Sequence, residues 1–273
     1  MANVLNDFSL NALTKAIDAN QIDGYIAFGC GDGAELHQDP DMTWIYTGIP
    51  YPLFNGVLCA RLSSDTVDER IEETINYFKY RNTPMMWWTG PCTHPPDLEK
   101  HLRAHGLVFA GNQPGMALDL LTVNKDMPLP KDLKIERVKN EKDLKDWLYP
   151  VSMGFNLPQF AAKALLKHFN GLDLTKSFPR RHYVGRLNGT PVASSTLFLG
   201  AGVAGIYYVA TIKKARRRGI GAAMTLTPLI EARQMAYRIG ILQASDLGLG
   251  LYRRIGFKEY CTLGRYIYLE TLG

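Results

Sequence analysis

Apolar and polar residues follow two different periods along this chain, and the switches between them outline its elements. Residues 133–138, Leu-Lys-Ile-Glu-Arg-Val, alternate as a half-buried strand does, because successive strand side chains point to opposite faces. Asn140, followed three residues later by Asp143, then opens a helical pattern through Trp147 and Leu148, and a second helix is predicted over about 157–168. Residues 182–187 read as a strand and 191–199 as its partner. Asn188-Gly189 joins them as a tight turn, since these two residues tolerate the positive φ values such a turn requires. The chain turns again between Gly200 and Gly205 into a strand over 206–211. A long helix is predicted from about 221 to 239, carrying Met224, Leu226, Leu229, Ile230 and Met235, with Pro228 expected to bend its early part. Residues 241–244 then read as a short buried strand, 250–255 as a short helix and 257–269 as closing strands.

The first half repeats part of this order in weakened form. Residues 53–62 resemble a strand, 66–81 an amphipathic helix and 84–88 a strand. The helix-then-glycine pattern of 97–107 matches Leu251-Tyr252-Arg253-Arg254-Ile255-Gly256-Phe257, and a strand at 116–120 stands where 265–269 stands later. Polar residues and two prolines interrupt the pattern at 124–132 and mark a linker, giving one domain over 1–123 and another over 133–273. A chain of 273 residues suits two domains of ordinary size.

Composition narrows the class. With 46% hydrophobic and 21% charged residues the chain reads as an ordinary soluble globular protein, not a disordered or collagen-like one. The N-terminus carries no basic segment followed by an apolar one, and nowhere do about 18 apolar residues run on. A cytoplasmic protein with no membrane partner is expected. Cys30, Cys59, Cys92 and Cys261 lack C-x-x-C spacing, so no disulfide framework and no metal site is expected. His101 and His105 are one helical turn apart but lack the glutamate of an H-E-x-x-H pattern. Ser194 and Ser195 lack the G-x-S-x-G elbow of a nucleophilic serine.

The net charge of +5 is concentrated: Lys213, Lys214, Arg216, Arg217 and Arg218 fall within six positions. Charge alone fits a solvated face, a nucleic-acid patch or an anion site. A nucleic-acid partner is not expected, because interleaved aromatics and a recognition helix are missing. The neighbours favour an anion: the run lies between a strand and a long helix, and free N–H groups at a helix start, with the helix dipole, favour negative charge. Gly219 and Gly221 would let the backbone approach a pyrophosphate closely, and the arginines could add charge-assisted bonds.

Arg216-x-x-Gly219-x-Gly221 resembles the Q/R-x-x-G-x-G/A signature of the GNAT superfamily of N-acetyltransferases. The resemblance extends to the preceding strand Tyr208-Val209-Ala210-Thr211, the long helix, the strand Leu242-Gln243-Ala244-Ser245 and Leu251-Tyr252-x-x-Ile255-Gly256-Phe257, covering about 133–269. It implies an α/β (mixed α+β) fold of two GNAT-like domains, each a mixed, mostly antiparallel twisted sheet flanked by helices. The first would be a degenerate copy, its strand-to-helix junction Leu62-Ser63-Ser64-Asp65-Thr66 having neither glycine pair nor basic cluster. The resemblance further implies acetyl-CoA as cosubstrate, bound where two central strands separate. Arg216, Arg217, Arg218, Gly219, Ile220, Gly221 and Ala222 would form its pyrophosphate loop, and the strand edge of Val209, Ala210 and Thr211 would pair with the pantetheine amides. Tyr252 matches the tyrosine that many members use to protonate the departing thiolate.

The chain departs from the family in one respect. Many members carry a glutamate base on the strand before the loop, whereas Gly205-Ile206-Tyr207-Tyr208-Val209 holds no carboxylate. His182, Glu136 and carboxylates of the first half are the alternatives, and no spacing singles one out. The expected function is direct transfer of an acyl group, acetyl above others, from acetyl-CoA to an amine of a small molecule, amino acid or peptide, by a monomer or homodimer. The alternative is a non-catalytic CoA-binding sensor or interaction protein. Residues 153–160 and parts of the first half are expected to form the acceptor pocket.

Overall fold

In the computed structural model of the chain, residues 4–29, 33–123, 130–171 and 179–269 are described. Helix α1 spans Leu10–Gly29, followed by strands β1 (Glu35–Gln38), β2 (Thr43–Tyr46) and β3 (Gly56–Leu58), helix α2 (Val67–Tyr80), β4 (Met85–Thr89), α3 (Leu98–Ala104) and β5 (Val108–Asp119). The second half runs β6 (Leu133–Arg137), α4 (Glu141–Phe155), α5 (Gln159–Asn170), β7 (Arg180–Leu187), β8 (Thr190–Gly200), β9 (Val203–Thr211), α6 (Ile220–Gln234), β10 (Ile239–Gln243), α7 (Asp246–Ile255) and β11 (Lys258–Tyr268). Among the described residues no helix is long and apolar enough to cross a membrane.

The chain divides into two compact units, and neither is continuous. The larger comprises Met1–Asn20 and Gly115–Tyr260, the smaller Gln21–Pro114 and Cys261–Gly273. A split at 124–132 is therefore not the spatial division, because each half lends a terminal strand segment to the other unit. Residues 115–119 at the end of β5 pair antiparallel with β10, Gly115 opposite Gln243 and Asp119 opposite Ile239. Likewise β11 pairs antiparallel with β4 in the smaller unit, from Gly264 opposite Thr89 to Tyr268 opposite Met85. Most of the expected linker, residues 124–129, lies outside the described residues.

In the larger unit the strands are ordered β5, β10, β9, β8, β7, β6, all antiparallel neighbours except the β9–β10 pair. Helix α6 covers one face. A core of Met116, Leu118, Tyr183, Leu197, Ile206, Met224, Leu229 and Leu242 is buried there, and α7 adds Tyr252 and Ile255. In the smaller unit β1, β2, β3, β4 and β11 form the sheet, with Trp87, Phe78, Ile71, Leu102 and Tyr266 in its core. Both sheets are mixed and mostly antiparallel, as expected.

Several local readings shift for physical reasons. The segment expected as one strand over 53–62 holds a 3-10 turn at Pro52–Phe54 and only a three-residue strand, β3. Gly56 at its start has φ +148, and a Cβ there would sit 1.8 Å from the Met86 carbonyl oxygen, so the strand must begin at a glycine. Helix α6 stops at Gln234 instead of about 239. Ala236 takes φ +67 and the Tyr237 N–H bonds the Ala232 carbonyl at 3.1 Å, a Schellman-type end whose usual glycine is here an alanine. Pro228 lies in the middle of α6, not in its early part. Helix α1 carries no strong amphipathic pattern. It is started by Ser9, whose hydroxyl accepts the Ala12 N–H at 3.3 Å.

Candidate functional site

The site is built where β9 and β10 part. These parallel strands pair only at Ala204 with Gly240 and Gly205 with Ile241, and no backbone hydrogen bond joins them beyond that point among the described residues. The remainder of β9, through Val209, Ala210 and Thr211, therefore presents an edge of unpaired amide groups toward the gap. A bulge shapes that edge. Tyr208 takes φ +50, and the β8–β9 register slips between Ser194 and Thr196. The irregularity is tied down from behind: the Ser194 hydroxyl donates to the Tyr208 carbonyl at 2.9 Å, and the Trp147 indole N–H donates to the Ser195 carbonyl at 3.1 Å.

Past Thr211 the chain turns through a 3-10 segment, Lys213–Ala215, with Ala215 buried as its anchor. The Arg216 guanidinium Nε donates back to the Thr211 carbonyl at 3.0 Å, so one of the five basic side chains braces the loop. Arg217 at φ +59 and Gly219 at φ +76 bend the backbone twice before α6 begins at Ile220. The first internal bond runs from the Ala223 N–H to the Gly219 carbonyl, at 3.1 Å. Hence the N–H groups of Arg217, Arg218, Gly219, Ile220, Gly221 and Ala222 have no acceptor among the described residues. Lys213, Lys214, Arg216, Arg217 and Arg218 are all exposed, and no ion pair engages them there. Unneutralised positive charge and free amides meet at one helix start.

Helix α7 stands next to this loop: a Cβ on Gly221 would lie 3.0 Å from Leu251 Cδ2. Ser245 caps α7 by accepting the Gly248 N–H at 3.3 Å, and Gly256 ends it at φ +111. Tyr252 is 7% exposed, edge-on to Phe257 at 6.0 Å between ring centroids. Its ring lies so close to Gly248 that a Cβ there would be 2.7 Å from Tyr252 Cε2. The Tyr252 hydroxyl has no hydrogen bond among the described residues, and burial pushes the phenol up to about 12.

The opposite face of β9 carries an aromatic cluster that the sequence reading did not assemble. Trp147 lies 5.4 Å from Tyr208 and 4.4 Å from His182, and Phe169 lies 4.6 Å from His182, ring centroid to centroid. The His182 ring Nδ1 shares a hydrogen bond with the Thr196 hydroxyl at 2.8 Å. Burial first, and then Arg180, hold His182 well below its ordinary value, and the same two causes bring His168 down to about 4. Both imidazoles are therefore neutral at physiological pH. Glu136 is placed elsewhere, on the edge strand β6, bound to Arg186 at 2.8 Å and Lys134 at 3.4 Å. Neither alternative base is brought to the open edge of β9. The spacing of Trp147, Phe169 and His182 gave no signal for this cluster, since each belongs to a different element.

The smaller unit repeats the parting of two parallel strands but closes it. There β3 and β4 pair only at Gly56 with Met86 and Val57 with Trp87. Beyond that point the His94 N–H bonds the Ala60 carbonyl at 2.9 Å, and the Leu62 N–H bonds the His94 carbonyl at 3.1 Å. A loop residue after β4 thus takes up backbone groups beyond β3, at positions comparable to those that stay open on β9. Helix α2 begins with Asp68 and Glu69 in its first turn, which repels an anion where α6 would attract one.

No family model and no curated protein matches the sequence. Solved structures do match in fold. A GCN5-related N-acetyltransferase from Kribbella flavida superposes with a TM-score of 0.71 at 15% identity, over 93% of this chain and 94% of that one. A second, from Sphaerobacter thermophilus, gives 0.66 at 14% identity, over 94% and 91%. A tandem GNAT protein from the clavulanic acid biosynthesis pathway gives 0.60 at 10% identity, over 96% and 95%. Across nearly its whole length, this chain has the fold of GNAT proteins, including one built as a tandem pair.

Proposed function

We propose that the chain is an acyl-CoA-dependent N-acyltransferase that takes acetyl from acetyl-CoA and passes it directly to an amine. The observation that carries this reading is the run of six free amides from Arg217 to Ala222 beside five exposed basic side chains that make no ion pair among the described residues, at the end of an open strand edge. A pyrophosphate supplies the acceptors these amides lack, and pantetheine amides supply partners for the edge at Val209, Ala210 and Thr211. The fold neighbours, N-acetyltransferases by name, support the same class of chemistry. The closed cleft of the smaller unit supports one donor site per chain.

In the reaction the neutral amine attacks the thioester carbonyl carbon, the tetrahedral intermediate collapses, and the C–S bond breaks to leave an amide and a thiolate. Tyr252 is the residue assigned to the leaving sulfur. A phenol near 12 protonating a thiolate near 8.5 would run uphill by about 5 kcal/mol, so Tyr252 donates a hydrogen bond to the sulfur and keeps its proton. The surplus proton of the acylated amine reaches the thiolate through water. Acetyl-CoA should raise the melting temperature, because a ligand bound only by the folded state stabilises it. Released thiol should then appear on adding an amine. Absence of any thermal shift at millimolar acetyl-CoA would overturn the reading.

A second reading, a CoA-binding sensor without turnover, is favoured by the missing carboxylate on β9. It requires binding with no thiol release across a broad amine panel.

A further inference from the structure

Helix α4 ends directly against the donor edge: a Cβ on Gly154 would lie 2.6 Å from Ala210 Cβ, so only a glycine lets the helix come this near. Its last turns, and the first of α5, expose large apolar side chains. Tyr149 is 45% exposed, Met153 56%, Phe155 42% and Phe160 48%, and the Phe155 ring stands edge-on to Tyr208 at 6.2 Å. Exposed apolar groups gathered beside a reactive edge mark a binding surface. Tyr208, Trp147 and Phe169 continue it inward as rings set edge-to-face.

Charge decides what that surface can receive. Between Asp146 and Glu231 the sequence holds a single acidic residue, Asp173, which lies outside the described residues. The same stretch holds Lys163, Lys167 and Lys176, then Arg180, Arg181 and Arg186, then the five basic residues of 213–218. It supplies α5, β7, β8, β9 and the α6 loop, and the α4 carboxylates Asp143 and Asp146 that precede it are held by Arg186. An aliphatic amine with the basicity of lysine is neutral in only about one molecule in 2,500 at pH 7. Such a cation would meet a mostly basic stretch of chain, with no carboxylate on β9 to take its proton. An arylamine, whose lone pair is delocalised into its ring, arrives uncharged and brings the flat apolar body these side chains fit.

Resting on the acyltransferase reading, we propose that the acceptor is an arylamine, seated on the α4–α5 apolar surface with its nitrogen toward the donor edge of β9. The transfer forms the aryl N–C bond, breaks the thioester C–S bond, and passes the nitrogen's proton to the thiolate through water. Three probes separate the chemistry with the full-length protein and saturating acetyl-CoA: aniline, benzylamine and spermidine. At pH 7 the expected kcat/KM for aniline is at least tenfold above that for benzylamine, with spermidine slower than both. From pH 7 to 9 benzylamine turnover should rise steeply while aniline turnover stays flat. Phe155→Ala should raise the KM for aniline at least fivefold with the Kd for acetyl-CoA unchanged, a split that general loss of structure would not give. Preference for spermidine or benzylamine at pH 7, or turnover of none of the three by protein that binds acetyl-CoA, would overturn the proposal. If acetyl-CoA itself does not bind, the acyltransferase reading falls and this one falls with it.

Discussion

Gly219 and Tyr252 show how single residues set the terms of the site. Gly219 sits at φ +76 just before α6, a conformation that costs a residue with a side chain about 1–2 kcal/mol. Gly219→Ala should therefore tilt the free amides away from their target and weaken acetyl-CoA binding at least tenfold in a titration, with a modest fall in melting temperature. Tyr252→Phe removes a hydroxyl that makes no internal hydrogen bond, so the fold should stand. Its kcat should fall ten- to a hundredfold with the acetyl-CoA Kd unchanged. Because the phenol stays protonated up to about 12, the wild-type rate should show no loss from tyrosine ionisation between pH 7 and 9. Gly248→Ala should act like a milder Tyr252 variant by displacing the ring it touches. Both the glycine loop and the tyrosine could be put forward from the sequence, the loop because its residues are adjacent and the tyrosine because it matches a position of the family that the chain resembles. The bulge at Tyr208 was not, since nothing distinguishes a left-handed tyrosine from an extended one in a strand pattern.

Elements around the site are locked by buried charge and neutral histidine, which makes their stability depend on pH. His182 and His168 have folded values below the ordinary 6.5, so the unfolded chain binds more protons once pH falls below that value. Their contribution is complete above about pH 6.5 and is lost as pH falls toward 4, the value of His168. Melting temperature measured from pH 7.5 to 4.5 should decline accordingly, and His168→Gln should flatten the slope. Arg186 joins β7 to β6 and α4 through Glu136 at 2.8 Å, Asp143 at 3.1 Å and Asp146 at 2.8 Å. Arg186→Ala leaves three carboxylates facing one another and should cost about 3 kcal/mol in denaturant unfolding. At this scale the patterns served well for β7 and β8, whose residues are buried on both faces, and for α2 and α4, each of which buries one apolar stripe. They served poorly for α1 and the end of α6, where the helix is apolar on several sides or ends on an alanine in place of a glycine.

At the scale of the whole molecule, the arrangement least visible in sequence is the exchange of strands between halves. Hydrophobic periodicity reports which face of a strand is buried but not which strand lies beside it, so 116–120 and 265–269 could only be matched to each other as repeats. Their partners turn out to be β10 and β4, each in the other half of the sequence. This gives the linker a different meaning. Cutting at 124–132 does not release two domains; it takes residues 115–119 from the edge of β10 and leaves β11 without β4. A fragment of residues 133–273 would then expose the backbone groups of β10 along all five residues that Gly115 to Asp119 now cover. We expect that fragment alone to aggregate and to show no cooperative unfolding or acetyl-CoA shift. Co-expression with residues 1–123 should restore a soluble, acetyl-CoA-binding pair, because both exchanged strands are then present again. A soluble 133–273 fragment that binds acetyl-CoA as the full chain does would show that the exchange is dispensable, and that the donor site needs only the local spacing from which it was first read.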